Sequence, residues 1–136
     1  MALPNGAGGY QLGDGNLNES TMGYAPAPAT ATSTATLTVA QTLSGILLGS
    51  PSSSAASYTL PTVSDLEATL SSAKVGSTFN LSVVNVDGSG AGVITVVAGT
   101  GWTLVGLMTV VATAGTAQMF RARKTGDGAW SLYRIG

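Results

Sequence analysis

Two short stretches carry the residue types of a nucleophilic hydrolase. Ser71-Ser72-Ala73-Lys74 matches the S-x-x-K motif and Lys124-Thr125-Gly126 matches K-T-G, two motifs that penicillin-binding enzymes place around a serine nucleophile. Their third element, S-D-N, would fall between these two, yet the Ser64-Asp65 pair precedes both and is followed by Leu66. In those enzymes the serine opens a helix, whereas Ser71 lies near the end of a predicted one. We therefore interpret both motifs as chance matches.

The remaining chemistry of the chain is sparse. There is no histidine, the commonest general base and the leading zinc ligand, and no cysteine. Asp65 and Glu67 are two residues apart on a predicted helix and point in different directions, so they do not form an acid/base pair. We interpret both as first-turn residues that complement the helix dipole. These features predict a protein that is not an enzyme and has no catalytic residue, cofactor or metal.

Two loops match ligand-binding motifs only in part. Gly88–Gly92 lies between two predicted strands, with Val93 where a dinucleotide fingerprint needs its third glycine, so a hairpin turn is predicted. Asp14 to Glu19 begins like a calcium loop, but Glu19 and Ala25 occupy the positions of the turn glycine and the bidentate glutamate. Weak calcium coordination by Asp14 and Glu19 stays open as an alternative.

Four of the five basic residues form one cluster near the end of the chain: Arg121, Arg123, Lys124 and Arg134. Strand alternation places Arg121 and Arg123 on one face, and Arg134 follows on the next strand of the same hairpin. One interpretation is a charged edge strand protected from unwanted pairing. The other is salt-bridge contact of Arg121, Arg123 and Arg134 with an acidic surface of a partner.

The clearest elements lie in residues 60–85. Thr62 can act as an N-cap with Asp65 three residues later, and the following apolar residues recur on one helical face: Val63, Leu66 and Leu70. After Gly76 the apolar period becomes two, which predicts a half-buried strand: Phe79, Leu81 and Val83. We expect the inward residues of this helix and strand to form the core with Phe120: Leu66, Leu70, Phe79, Leu81 and Val83.

Short β-type segments separated by turn residues fill the rest of the chain. We predict a strand over Thr34–Ala40, a short buried strand at Ile46–Leu48, a hairpin over Asn85–Val97 and a last tight turn at Gly126–Gly128. This spacing predicts an all-β domain over residues 31–136, a β-sandwich or jelly roll of about eight short strands with one short helix. The helix is expected to cover an open end or edge of the sandwich.

Residues 1–30 show no periodic apolar face and end in an Ala-Pro spacer, which is stiff and extended. Single apolar residues interrupt this glycine- and asparagine-rich segment: Tyr10, Leu12, Leu17, Met22 and Tyr24. One interpretation is plain disorder. The other is an extended N-terminal arm that becomes ordered on a neighbour, where each of these residues fills a pocket.

Composition favours a protein that is packed against others. Only 8% of the 136 residues are charged, against a typical ~25%, so the surface repels neighbours weakly. The net charge of −1 does not indicate binding to nucleic acid or to an anionic membrane.

The sequence also predicts where the protein is made. We find no signal-peptide pattern, and the longest apolar run, Leu104–Ala112, is short for a membrane span. We expect a soluble product synthesised in a host cytoplasm.

The order of motifs from Tyr58 to Gly136 resembles a module of tailed-phage virion structural proteins, of the capsid decoration (cement) type. The resemblance rests on LPTVSDLEATLSSAKVGSTFNLSVVN, a glycine-rich turn, GVITVVAGTGWTLVG and AQMFRARKTGDGAWSLYRIG. It implies a β-sandwich on the outer surface of a virion capsid, bound to the major capsid protein and to copies of itself as a homotrimer.

A second function remains open, that of a tail fibre or spike module which binds host surface glycan. Glycan binding would need exposed aromatic side chains as stacking platforms, and three residues are candidates: Trp102, Trp130 and Tyr133.

Overall fold

The computed structural model describes residues 23–136, in which strands dominate. Ten strands occur there: β1 (Ala29–Ala31), β2 (Ala35–Thr36), β3 (Ile46–Gly49), β4 (Ala56–Thr59), β5 (Thr78–Asn85), β6 (Ile94–Val97), β7 (Trp102–Val105), β8 (Thr109–Val110), β9 (Thr116–Gly126) and β10 (Ala129–Arg134). Two short helices accompany them: α1 (Val39–Thr42) and α2 (Val63–Thr69). The predicted all-β, sandwich-like class is confirmed, with two more strands in this part of the chain than expected and a second helix.

The strands form two mixed sheets. The six-stranded sheet has the order β1-β3-β5-β9-β10-β7, and the four-stranded sheet has the order β2-β4-β6-β8. The chain changes sheet at each step from β1 to β9, so five pairs of strands two apart in the chain become neighbours. Four of these neighbouring pairs are parallel, namely β1–β3, β3–β5, β2–β4 and β4–β6, whereas β6 and β8 pair antiparallel.

The core lies between the inner faces of the two sheets. Tyr58 and Ile94 from the four-stranded sheet belong to the same buried cluster as Leu47 and Leu132 from the six-stranded sheet. The two sheets approach closely at Gly49, because a Cβ there would lie 2.5 Å from Cδ1 of Ile94. The predicted core is confirmed for four residues, all fully buried: Leu66, Leu81, Val83 and Phe120. Leu70 and Phe79 are instead half-buried and pack against its margin.

Helix α2 is confirmed with its predicted start. Thr62 accepts a hydrogen bond from the backbone N–H of Asp65 at 3.2 Å, and Val63 and Leu66 are buried in the common core. Leu70 is the C-cap, which explains its partial exposure. Within residues 23–136, neither helix is long and apolar enough to cross a membrane.

Two other predicted elements are wrong. Over Thr34–Ala40, β2 stops at Thr36 and α1 begins at Val39, because Thr38 and Gln41 form a capping box with reciprocal bonds of 3.1 and 2.8 Å. The predicted hairpin over Asn85–Val97 does not exist, because β5 and β6 lie in different sheets. The last turn, between β9 and β10, does close an antiparallel hairpin as expected.

The two phenylalanines provide a test of this core. We expect Phe120→Ala to reduce the free energy of unfolding by about 3–5 kcal/mol, because its ring is fully buried between the sheets. Phe79→Ala should cost at least about 1 kcal/mol less, because Phe79 is half-buried at the margin, 5.6 Å from the Trp130 ring. Denaturant unfolding of both variants measures the difference, with the exposed Val75→Ala as control. An equal loss for the two phenylalanines would contradict the assignment.

Candidate interaction surface

The side chains of β9 alternate between the core and the solvent. Gln118, Phe120, Ala122 and Lys124 are buried, whereas Met119, Arg121 and Arg123 are exposed. The exposed set lies on what we call the outer sheet face, the side of the six-stranded sheet that points away from the four-stranded sheet. The outward residues Asn80, Met119, Arg121 and Arg123 are exposed in residues 23–136 and are therefore available to a partner.

One half of the outer sheet face is apolar. Ile46, Ser82 and Met119 are cross-strand neighbours on β3, β5 and β9, and Ile135 donates its backbone N–H to the carbonyl of Met119. The three apolar side chains of this row are 42–44% exposed: Ile46, Met119 and Ile135. Leu48 and Val84 form the next row and are half-buried. The predicted burial of the Ile46–Leu48 strand therefore holds fully only for Leu47.

The other half of the outer sheet face is basic. Arg121 lies between Asn80 on β5 and Tyr133 on β10, and its Nε donates to Oδ1 of Asn80 at 3.0 Å. Arg123 occupies the next outward position on β9. Neither arginine has a carboxylate partner within residues 23–136. The edge-strand interpretation of this cluster is wrong, because β9 is paired on both sides, with β5 and β10.

The other two members of the predicted basic cluster lie elsewhere. A register shift between Ala129 and Trp130 places Arg134 opposite Phe120, and therefore on the opposite face from Arg121. There its guanidinium donates to the carbonyls of Leu107 and Gly136, at 3.3 Å each. Lys124 points into the core. The cluster of the sequence is thus reduced to two arginines on a common face.

Lys124 forms an ion pair with helix α2. Its Nζ lies 2.5 Å from Oε2 of Glu67, and the same oxygen accepts a hydrogen bond from Nε1 of Trp130 at 3.1 Å. The hydrogen bond from Lys124, which outweighs desolvation, holds the pKa of Glu67 below its usual range. Our interpretation of Glu67 as a first-turn residue is wrong, since only Asp65 lies in the first turn.

The tryptophans belong to the core. Trp102 and Trp130 are 7% and 1% exposed, and Nε1 of Trp102 donates to the carbonyl of Pro61 at 2.8 Å. Their rings lie 6.1 Å apart, centroid to centroid. Tyr133, the third candidate platform for a glycan, is half-buried on the outer sheet face beside Arg121. Neither tryptophan can therefore serve as a stacking platform.

A groove with a mixed apolar and hydroxyl lining opens near α2, and its apolar part includes Leu37, Val39 and Leu60. It encloses about 580 Å³ and is lined by threonines from several segments, with the Asp65 carboxylate among them: Thr36, Thr38, Thr59, Thr62 and Thr100. Hydroxyl and carboxylate oxygens of this kind can form hydrogen bonds to a hydroxylated ligand. Within residues 23–136 there is no group of three or more acidic, histidine or cysteine side chains that could hold a metal ion.

Most of the predicted arm lies outside the described residues, including Tyr10, Leu12, Leu17 and Met22. Tyr24 is described and is fully exposed. Residues 23–28 are all exposed and lead into β1, which begins at Ala29 on the margin of the six-stranded sheet. Because β1 pairs with β3, a truncation intended to remove only the arm has to end before Ala29.

No protein-family model, curated protein or solved structure matches the chain. The resemblance to phage virion modules therefore remains a hypothesis based on the quoted motifs.

The ion pair of Glu67 predicts an acid-sensitive fold. Because the folded-state pKa of Glu67 is lowered, its contribution to stability is complete above the ordinary glutamate pKa and is lost as the pH falls through the lowered value. We expect Glu67→Gln to destabilise the protein at neutral pH and to lose less further stability than the wild type on acidification. Denaturant unfolding across this pH range, with Asp127→Asn on the exposed β9–β10 turn as control, measures both effects. Parallel pH profiles for wild type and Glu67→Gln would refute the role of the pair.

Proposed function

We propose that this protein is a structural virion protein which binds the outer surface of a phage capsid and stabilises it. The observation that supports this most is the outer sheet face, where an exposed apolar row adjoins two arginines without carboxylate partners in residues 23–136. Exposed apolar patches rimmed by polar residues are typical of protein-binding surfaces. Arginine is also enriched at such interfaces.

The form of the outer sheet face favours a macromolecular partner. Its side chains lie on successive strands of a sheet and do not converge on a cavity, so they present a broad surface. Arg121 is held by Asn80 before any partner binds, which reduces the side-chain entropy that binding would cost. Only 8% of the residues of the whole chain are charged, which agrees with a protein that is packed among others.

The arm is the second contact element of the proposal. Its isolated apolar residues can act as anchors, and its Ala-Pro spacer lowers the entropy cost of extending it. Major capsid protein and neighbouring copies of this chain are the partners. The resemblance to decoration proteins and the uncovered face together lead us to propose a homotrimer on the virion surface.

Glycan binding on a tail fibre or spike is the second candidate. The threonine-lined groove with Asp65 favours it, because its oxygens suit sugar hydroxyls, whereas the burial of both tryptophans counts against it. The number of copies of this protein per virion distinguishes the two functions. A number comparable with that of the major capsid protein supports decoration, and a small fraction of it supports the tail.

Removal of residues 1–22 tests the role of the arm. A chain that begins at Gly23 retains β1 and the whole core, so its melting temperature should lie within about 2 °C of the full chain. Its binding to phage particles stripped of this protein should fall strongly, because four of the five proposed anchors are gone and only Tyr24 remains.

Cosedimentation with stripped particles measures the loss, and a variant with Thr36→Ala on the other sheet is the matched control. Undiminished binding of the truncated chain would show that the arm does not act as a tether. A collapse of its melting temperature would place residues 1–22 within the fold.

The oligomeric state is a separate prediction. Light scattering of the isolated full chain should give the mass of three copies, because so weakly charged a surface with an apolar sheet face favours association. Met119→Glu on the outer sheet face should shift the mass toward the monomer. A monomer in solution and on the particle would contradict the proposed trimer.

A further inference from the structure

We propose that the outer sheet face is the docking site for residues 1–22 of a neighbouring copy of the chain. The inference rests on the proposed function in one respect, namely that copies stand side by side on a surface. It names the neighbouring copy as the partner of the arm and of Arg121 and Arg123, so that this contact links copies to one another.

The charges of the two parts are complementary. Residues 23–136 hold all five basic residues of the chain and four of the six acidic ones, a formal charge of +1. Residues 1–22 hold the other two, Asp14 and Glu19, and no lysine or arginine, so their side chains carry −2. Arg121 and Arg123 are the outward charges of β9, so the outer sheet face attracts a segment of this kind.

The order of residue types is complementary as well. Leu12 and Asp14 are two residues apart, and so are Leu17 and Glu19. On β9 the outward residues Met119 and Arg121 are also two apart, apolar first and basic second. Residues two apart share a face of an extended chain, at about 7 Å. An extended segment bound over β9 therefore can set a leucine against the apolar row and a carboxylate near an arginine.

The path of the chain favours a neighbouring copy over the chain's own face. Residues 23–28 are exposed and leave the sheet at its margin, at β1. Pro26 and Pro28 disfavour helical conformations at Ala25 and Ala27, which makes this spacer stiff and favours an extended path. The 22 residues beyond it reach up to about 70 Å. Six strands at about 4.8 Å spacing are about 24 Å wide, so the segment is long enough to reach and cross an adjacent sheet.

Cross-linking between single-cysteine variants tests the docking directly, because the natural chain has no cysteine. We would mix full-length Leu17→Cys with full-length, affinity-tagged Met119→Cys and add a short bismaleimide reagent. The control acceptor is Thr36→Cys, which is exposed on the four-stranded sheet at the other side of the sandwich. The expected yield of the mixed product is at least about tenfold higher for Met119→Cys, because docking raises the local concentration of the partner thiol.

Two results would overturn the proposal. One is an equal yield for the Met119→Cys and Thr36→Cys acceptors. The other is cross-linking only within one chain when Leu17→Cys and Met119→Cys are combined, which would mean that each arm covers its own sheet.

Charge reversal tests the chemistry of the contact. Arg121→Glu with Arg123→Glu in the acceptor should lower the mixed yield about tenfold, and the yield should recover when the donor carries Asp14→Lys and Glu19→Lys. Arg134→Glu is a single charge reversal of the same kind on the opposite face and should leave the yield unchanged. Thermal melts of each variant confirm that it is folded. Failure of the reversed donor to restore the yield would refute a charge-paired arm.

The same variants separate this inference from the proposed function. Particle binding that depends on residues 1–22 without cross-linking to Met119→Cys would refute the docking site and leave capsid decoration intact. Cross-linking between copies with no binding to stripped particles would refute decoration and leave the docking site intact.

Discussion

The repeated passage of the chain between two sheets is the constraint on which the rest of the structure depends. Each passage brings loop backbone groups to the rim of the core, where they need hydrogen-bond partners. Asn85 at the end of β5 supplies three: its Nδ2 donates to the carbonyls of Gly92 and Val111, and its Oδ1 accepts from the N–H of Gly88, at 2.7–3.0 Å. Tyr58 places its hydroxyl 2.9 Å from the carbonyl of Thr32 in the β1–β2 connection. Buried polar side chains thus hold in place the loops in which the chain passes from one sheet to the other.

In this architecture the inner face of the six-stranded sheet is buried in the core, whereas the outer face presents side chains to the solvent. The inner face is committed to the core by β9 residues such as Phe120 and Ala122, which are fully buried. With a period of two, the same commitment fixes Met119, Arg121 and Arg123 on the outside. Because β9 is one of the two central strands of the six-stranded sheet, these outward side chains have a rigid backbone beneath them. A binding surface on such strands keeps its spacing, which a surface on loops does not.

Local patterns in the sequence predicted the parts of the fold that depend on nearby residues. The N-cap at Thr62 and the inward residues Leu81 and Val83 follow from spacing alone, and α1 carried a readable T-x-x-Q signal at Thr38. The sheet in which each strand lies was not predictable, because a period of two shows that one face is buried but not against which sheet. The face of Arg134 was unpredictable for a similar reason, since one irregularity after Ala129 reverses the alternation.

The few charges of the chain make the position of each one matter. Lys124 and Glu67 are joined to each other, and Arg134 is bound to backbone carbonyls, so these side chains are already used within the fold. Arg121 and Arg123 therefore carry most of the directional electrostatics of the outer sheet face. A charge-poor surface of this kind obtains affinity from its apolar row and orientation from its two arginines, because apolar contact is nondirectional whereas charge-assisted hydrogen bonds have defined geometry. Recognition then depends on how the two halves adjoin, and that arrangement is set by the register between β5 and β9.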